Sequence, residues 1–151
     1  MSIDYACCTK TNDMKILNLL WTCVRDAGWA LVLVFLFRGL AIALGVRPQL
    51  DHPIHFSGGF AIAYFLYRAI RMASPFIGPL TPAARFCLAF SSACTAAVFW
   101  EFGEFASDLL IGTHIQYAVA ETLWDLISGV LGAVASLSLI ALINRLKNNY
   151  K

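Results

Sequence analysis

Long apolar runs separated by short polar stretches dominate the pattern of this chain. The longest runs predict membrane-spanning helices, because about 20 apolar residues cross a bilayer as a helix. They cover residues 28–46, 54–71, 83–111 and 119–143. Residues 14–26 contain a shorter apolar run that ends at Arg25 and Asp26, and they are interpreted as a helix in the membrane interface, followed by a bend. The alternative is that the first spanning helix begins early and is long.

These elements predict an all-α fold, an integral membrane four-helix bundle with an N-terminal amphipathic helix. Residues 1–13 form a polar tail in this scheme, and residues 27–151 form the transmembrane domain. Residues 47–53 are interpreted as a turn, with Pro53 in the first turn of the second spanning helix. Thr81 is the predicted N-cap of the third.

Composition supports a membrane location. Hydrophobic residues make up 60% of the chain, the mean hydropathy is +0.71, and 13% of the residues are charged, whereas a soluble domain carries about 25% charged residues. The expected partner is therefore the lipid bilayer. A net charge of +2 is too small to indicate nucleic-acid binding.

Positive charges are distributed unevenly over the predicted loops. One side of the predicted bundle has only Arg47, and Arg38 lies within the first spanning helix. The other side has Lys10, Lys15, Arg25, Arg68, Arg71, Arg85, Arg145, Lys147 and Lys151. Because cytoplasmic loops are enriched in Lys and Arg, both termini are predicted to be cytoplasmic, in a multi-pass protein of the bacterial inner membrane. The beginning of the second helix, the end of the third and the beginning of the fourth then lie at the outer face.

Acidic side chains stand out within the third predicted helix. Glu101, Glu104 and Asp108 fall within a roughly 60° arc of one helical face, at about 100° per residue. Charged groups in lipid cost free energy, so intramembrane acids are by default a functional-site hypothesis.

Polar residues from three helices are expected to meet at the outer end of the bundle. Asp51 and His55 open the second helix, and Glu121 and Asp125 open the fourth. Glycines at positions 58, 59, 129 and 132 allow these helices to approach closely. Clustered carboxylates in a low-dielectric site need a compensating cation. The two candidates are a divalent metal and Arg38, whose predicted depth in the membrane is similar.

The candidate site combines these groups. Arg38 is the candidate phosphate-binding residue, and the candidate catalytic residues are Glu101, Glu104 and Asp125. The candidate metal ligands are Asp51, His55, Glu101, Glu104, Asp108, Glu121 and Asp125. Structural roles are the alternatives: a helix cap for Asp51 and His55, headgroup-level charges for Asp108 and Glu121, and a hydrogen-bond network or ion pair for the others.

Three stretches resemble the VanZ-like and YjdF-like groups of small bacterial membrane proteins. They are residues 51–56 (DHPIHF), 99–104 (FWEFGE) and 121–125 (ETLWD), and Gly132-Ala133 follows them. The YjdF-like pattern is closer, because Glu-Thr-x-x-Asp is similar to its Asp-Thr-x-x-Asp, with Glu121 in place of the usual Asp. The resemblance covers about residues 51–133. It implies a role in the cell envelope and, for VanZ-like proteins, an association with glycopeptide tolerance, but no particular reaction.

Three functions are open at this point. In the first, an outward-facing site binds or processes a lipid-linked or headgroup substrate, with a metal that polarises a phosphoryl oxygen and activates water. The second is a proton or cation pathway, which the scarcity of polar residues in the cytoplasmic halves of the helices disfavours. The third is a structural or regulatory membrane subunit whose polar network fixes helix register.

Topology can be tested by cysteine labelling in a background without the native cysteines. Thr113→Cys should react with an impermeant maleimide in intact cells, because the loop after the third helix is predicted to be outside. Ser74→Cys, in the predicted cytoplasmic loop, should react only after permeabilisation. The opposite pattern would invert the topology and move the site to the cytosol.

Overall fold

Helix is the only regular structure among the residues that the structure describes. The computed structural model describes residues 5–116 and 118–150, with side chains from Ile16 onward. Its helices are α1 (Tyr5–Ala43), α2 (Arg47–Met72), α3 (Ser74–Ile77), α4 (Pro82–Ile111) and α5 (Val119–Asn149). The predicted all-α fold class is therefore confirmed.

Within the described ranges, three helices are long and apolar enough to cross a bilayer. They contain the segments Ile16–Ala43, Pro82–Ile111 and Val119–Asn149. Their surfaces carry large exposed apolar side chains, among them Leu36 on α1, Phe102 on α4 and Leu131 on α5. Soluble monomers rarely expose wide apolar surfaces, so the structure supports a multi-pass membrane location.

Helix α1 runs without a break through Arg25 and Asp26, so the predicted bend there is wrong. Asp26 lies inside the helix, and its Oδ2 accepts a hydrogen bond from Arg68 Nη2 on α2, at 2.7 Å. The helix path thus agrees with the alternative of one long first helix. Residues 1–4 of the predicted tail lie outside the described residues, and the interfacial placement of residues 14–26 stays a prediction.

Helix α2 begins earlier than the sequence predicts. Arg47 is its first residue, Pro48 lies in its first turn and Pro53 lies inside the helix. The predicted turn over residues 47–53 is therefore wrong. Proline in the first turn lacks only an N–H that would have no partner there, so Pro48 takes the role expected of Pro53. The longer helix places residues 51 and 55 on one face, four positions apart.

The limits of α4 agree with the prediction. Thr81 is the N-cap, and its Oγ1 accepts a hydrogen bond from the backbone N–H of Ala84 at 3.1 Å. Gly112 ends the helix in the left-handed region, with φ of 71°, which glycine adopts without steric cost. A short loop then leads to α5.

Helix α2 lies at the centre of the arrangement. It packs against α1, α4 and α5, and α4 packs against α5. Among the described residues, no Cα of α1 comes within 8 Å of a Cα of α4. Side chains bridge that gap: the rings of Phe35 and Trp100 lie 5.9 Å apart, centroid to centroid. Helix α2 is less apolar than α1, α4 and α5. Its contacts with all three of these helices leave less of its surface for lipid. That it crosses the membrane as a fourth span stays a prediction.

A close backbone approach joins α2 and α5. A Cβ added at Gly59 would collide with the backbone of Gly129, and a Cβ added at Gly132 would collide with the backbone of Phe56. Small residues allow this kind of contact between membrane helices. Small buried side chains fill the adjacent core: Ala63, Ala89, Ala93 and Ala133.

Two adjacent glycines provide a matched test of this contact. Gly59→Ala should lower the free energy of unfolding by at least about 1–3 kcal/mol, because the added methyl group overpacks the interface. At Gly58 an added Cβ meets only Val34 Cγ1, at 3.9 Å, so Gly58→Ala should leave stability unchanged or slightly higher. Thermal unfolding of the purified proteins in detergent measures both, and equal melting temperatures would contradict the proposed role of Gly59.

Candidate functional site

Charged and imidazole side chains converge where α1, α2, α4 and α5 meet. We call the following residues the polar cluster: Arg38, Arg47, Asp51, His52, His55, Glu101, Glu104 and Asp125. Three of its acids are buried, with relative exposures of 4% for Glu101, 5% for Glu104 and 6% for Asp125. Carboxylates at this burial need partners, because an unpaired buried charge costs free energy.

Glu104 has its partners. Its Oε1 lies 2.9 Å from Arg38 Nη2 and 3.5 Å from Arg47 Nη2, and it accepts a hydrogen bond from Trp100 Nε1 at 3.1 Å. The Arg38 guanidinium also lies over the Trp100 ring, 5.0 Å from its centroid, in a cation–π arrangement. Three donors around one oxygen leave that oxygen little room for a further cation.

His55 is surrounded by acceptors. Its Nδ1 lies 3.4 Å from Glu101 Oε1, and its Nε2 lies 3.7 Å from Asp51 Oδ1 and 3.8 Å from Asp125 Oδ2. The side chain is 8% exposed. A neutral imidazole has one N–H, so one of its nitrogens would present a lone pair to carboxylate oxygens. The arrangement therefore calls for a proton or a cation beside His55.

Several buried atoms near His55 have no hydrogen-bond partner among the described residues. Among the described residues, His55 Nε2, Asp51 Oδ1 and Glu101 Oε1 are buried and have no hydrogen bond. Asp51 Oδ1 lies 3.1 Å from Arg47 Nη2, which is close enough for an ion pair but lacks hydrogen-bond geometry. Buried polar atoms are nearly always satisfied in folded proteins, so this group of atoms is suited to an additional ligand.

The other carboxylate oxygens of the cluster are held in place. Asp125 Oδ1 lies 2.9 Å from His52 Nδ1. Glu101 Oε2 accepts a hydrogen bond from Gln116 Nε2 at 3.2 Å, and the same amide group donates to the Glu101 backbone carbonyl at 3.0 Å. These contacts fix the orientation of both acids, so that Asp125 Oδ2 and Glu101 Oε1 face His55.

Charge counting gives the same conclusion. The polar cluster has four carboxylates and two guanidinium groups, which leaves two negative charges. Protonation of both His52 and His55 would balance them, and so would one divalent cation. Two groups of residues offer donor atoms that could hold one ion: Asp51, His55 and Asp125 form the first, and His55, Glu101 and Glu104 form the second. Within each group the donor atoms lie within 4.8 Å of one another.

Two predicted metal ligands lie elsewhere. Asp108 supports the loop after α4, since its carboxylate oxygens accept hydrogen bonds from Thr113 Oγ1 at 2.5 Å and from two backbone N–H groups, of Ile115 at 2.6 Å and Gln116 at 2.7 Å. Glu121 is exposed in the first turn of α5, where an acid interacts favourably with the helix dipole. Neither residue belongs to the two donor sets.

Sequence reasoning missed several members of this network. Arg47 and Asp51 are four residues apart, which favours an ion pair on a helix. Because residues 47–53 were predicted to form a turn, this pair was not expected. His52 has a side chain that is 56% exposed and still contacts Asp125. Trp100 and Gln116 carry no sequence signal for their roles, because their partners depend on how the loop and helices pack.

Two cavities adjoin Arg38. The first, of about 310 Å³, lies between α1 and α4 with α2 beneath it, and its wall includes Val34, Ile62 and Ala96. The second, of about 280 Å³, lies toward the loop after α4 and is lined by Ser107 and Ile115, among others. We call them the inner cavity and the loop-side cavity. Arg38 and Trp100 line both.

Comparisons with known proteins identify the family. A family described as predicted membrane protein (DUF2238) matches residues 16–146, so the chain belongs to this family. A protein of Thermotoga maritima, described as uncharacterized, is 32% identical over 83 residues, which cover 54% of this chain and 42% of that protein. The match thus spans less than half of the relative's length. No solved structure matches the chain.

The buried ion pair can be tested by a double-mutant cycle. Arg38→Gln and Glu104→Gln should each destabilise the protein, by up to about 3–5 kcal/mol, because each leaves a buried charge with fewer partners. The double mutant should lose less than the sum. The control is the Arg68–Asp26 pair, whose side chains are 32% and 37% exposed, and its coupling should stay within about 1 kcal/mol. Equal coupling in the two pairs would contradict this account.

Proposed function

We propose that this membrane protein acts in the cell envelope, and that its polar cluster holds a divalent metal with which it binds or processes a lipid-linked or headgroup substrate at the outer face. The observation that carries the proposal is the environment of His55. Its imidazole is buried, both ring nitrogens face carboxylate oxygens, and the Nε2 side has no hydrogen bond. A cation at Nε2 removes this conflict.

The geometry around Nε2 suits a single ion. Nε2 is 3.7 Å from Asp51 Oδ1 and 3.8 Å from Asp125 Oδ2. Donor atoms around a tetrahedral ion with bonds of ~2.1 Å lie about 3.4 Å apart, and the three donor atoms here lie within 4.8 Å of one another. A small inward adjustment of the two carboxylates would therefore let one ion contact all three atoms. Three protein ligands leave coordination positions for water or substrate, as in catalytic metal sites.

The surrounding groups support this assignment. A metal-bound histidine commonly donates its other N–H to a carboxylate, and here Nδ1 faces Glu101 Oε1 at 3.4 Å. Glu101 is itself positioned by Gln116. Glu104 is excluded from the ligand set, because its Oε1 already has arginine and tryptophan donors. We therefore assign Asp51, His55 and Asp125 as ligands and Glu101 as the group that orients His55.

Phosphate chemistry fits the remaining groups. A divalent metal polarises a phosphoryl oxygen and activates a bound water. Arg38 keeps one nitrogen, Nη1, without a hydrogen bond among the described residues, and guanidinium groups bind phosphate oxygens well. The resemblance to VanZ-like and YjdF-like proteins supports the envelope role.

The two other functions are less well supported. A proton or cation pathway would have to continue past the site, yet the neighbouring core is apolar, with Ala63, Ala89 and Ala133 nearly or fully buried. A purely structural network explains Glu104 and its arginines. It does not explain why the atoms around His55 lack partners.

Metal analysis tests the proposal directly. Purified protein equilibrated with Mn²⁺ or Zn²⁺ and then desalted should retain about one ion per chain, and a chelator should lower its melting temperature. His55→Ala and Asp125→Asn should lose the ion. Glu121→Gln, which removes an acid outside the donor sets, should keep it. Absence of metal from the folded wild-type protein, with melting unchanged by chelator, would remove the metal mechanism.

A further inference from the structure

The inner cavity borders the lipid. It lies in the gap between α1 and α4, whose Cα atoms stay more than 8 Å apart throughout the described residues. Phe35 and Trp100 line it, and they remain 58% and 37% exposed on the outer surface of the bundle. In a bilayer this surface faces hydrocarbon, so the cavity is a lateral recess that membrane lipids can enter between two helices.

The two cavities follow each other along the helix axis. On α4, residues 96, 97 and 100 line the inner cavity, whereas residues 103, 104 and 107 line the loop-side cavity. The inner cavity is walled mainly by aliphatic and small side chains and extends toward the middle of the helices. The loop-side cavity extends toward the helix ends. The loop-side cavity is also mostly apolar but has the larger polar share. Polarity therefore increases from the compartment nearer the bilayer centre to the one nearer the surface, as it does along a lipid in one leaflet.

Arg38 stands where the two compartments meet. It lines both cavities, and its Nη2 is paired with Glu104 whereas its Nη1 has no hydrogen bond within the described part of the chain. A guanidinium at the boundary between a strongly apolar and a less apolar compartment is complementary to a phosphate that is attached to a hydrocarbon chain.

The geometry points to a phosphate-bearing lipid as the ligand of this site, with one hydrocarbon chain in the inner cavity, the phosphate at Arg38 and the headgroup in the loop-side cavity. This inference rests on the proposed function and names its substrate class. A volume of about 310 Å³ is at the lower end of the roughly 300–1,000 Å³ range of ligand pockets, so it accommodates part of one chain while the rest of the lipid stays in the bilayer.

Photo-crosslinking in nanodiscs tests the inference. The probe is phosphatidic acid with a diazirine in the middle of one acyl chain, and peptide mass spectrometry locates the crosslinks. We expect them on residues that line the inner cavity, such as Val34 and Ala96. Two variants that fill the cavity from different helices, Gly58→Leu on α2 and Ala96→Leu on α4, should each reduce this labelling several-fold. Gly39→Leu should not, because residue 39 is exposed on α1 and a Cβ there meets nothing within 4 Å.

The headgroup part of the inference has its own test. Arg38→Gln should reduce cavity labelling by phosphatidic acid about ten-fold, the value of one charge-assisted hydrogen bond, and the matching diacylglycerol probe should label the cavity weakly in both proteins. Excess inorganic phosphate should not displace the lipid. Equal labelling by the two probes, or labelling spread evenly over the lipid-facing surface of α1 and α4, would overturn the inference.

Chelation separates this inference from the metal proposal. Cavity labelling should persist in EDTA, because the chain and Arg38 contacts involve no metal. If the wild-type protein binds no metal but its cavity is still labelled, the metal mechanism alone is removed. If it binds metal but labelling is spread evenly over the surface, the lipid assignment alone is removed. A melting temperature for each variant, measured in the same nanodiscs, shows whether the variant is folded.

Discussion

The backbone contact between α2 and α5 is the constraint on which the rest of the structure depends. At Gly59 and Gly132 the two helices are so close that a single methyl group would collide with the opposite backbone. This contact sets the distance between the helices that carry His55 and Asp125, two turns or less away. Helix α2 can therefore place its imidazoles among acids from two other helices, and glycine at these positions serves the site as much as the fold.

In the polar cluster that results, the Glu104 carboxylate is paired, whereas the atoms around His55 are not. Glu104 has two arginines and an indole N–H around one oxygen, whereas Asp51, His55 and Glu101 turn acceptor atoms toward each other without hydrogen bonds. Arg38 Nη1 also has no hydrogen bond within the described residues, and a partly satisfied buried network is worse than an apolar core. The unpaired atoms beside His55 and at Arg38 are the physical reason for proposing a ligand at each place.

The gap between α1 and α4 has a different free-energy cost in a bilayer than in water. In water, an apolar recess between two helices would close or attract a partner. In lipid it can be filled by a hydrocarbon chain at little cost, so α1 can pack on α2 alone and still contribute Arg38 across the gap through Trp100 and Glu104. A bilayer is the expected environment, because the chain belongs to a family of predicted membrane proteins whose model matches residues 16–146.

The sequence by itself determined the helical class, the membrane setting and the limits of α4, because these follow from runs of apolar residues and from local caps such as Thr81 and Gly112. It also showed that acids and histidines lie at one end of the helices. It misplaced the start of α2 and the path of α1, because Pro53 and Asp26 were interpreted as local boundaries whereas each lies inside a continuous helix. Only the tertiary structure decided which acids meet. Helical spacing puts Glu101, Glu104 and Asp108 on one stripe, but the register between helices and the course of the loop give each a different environment, and that register depends on contacts between residues far apart in the chain.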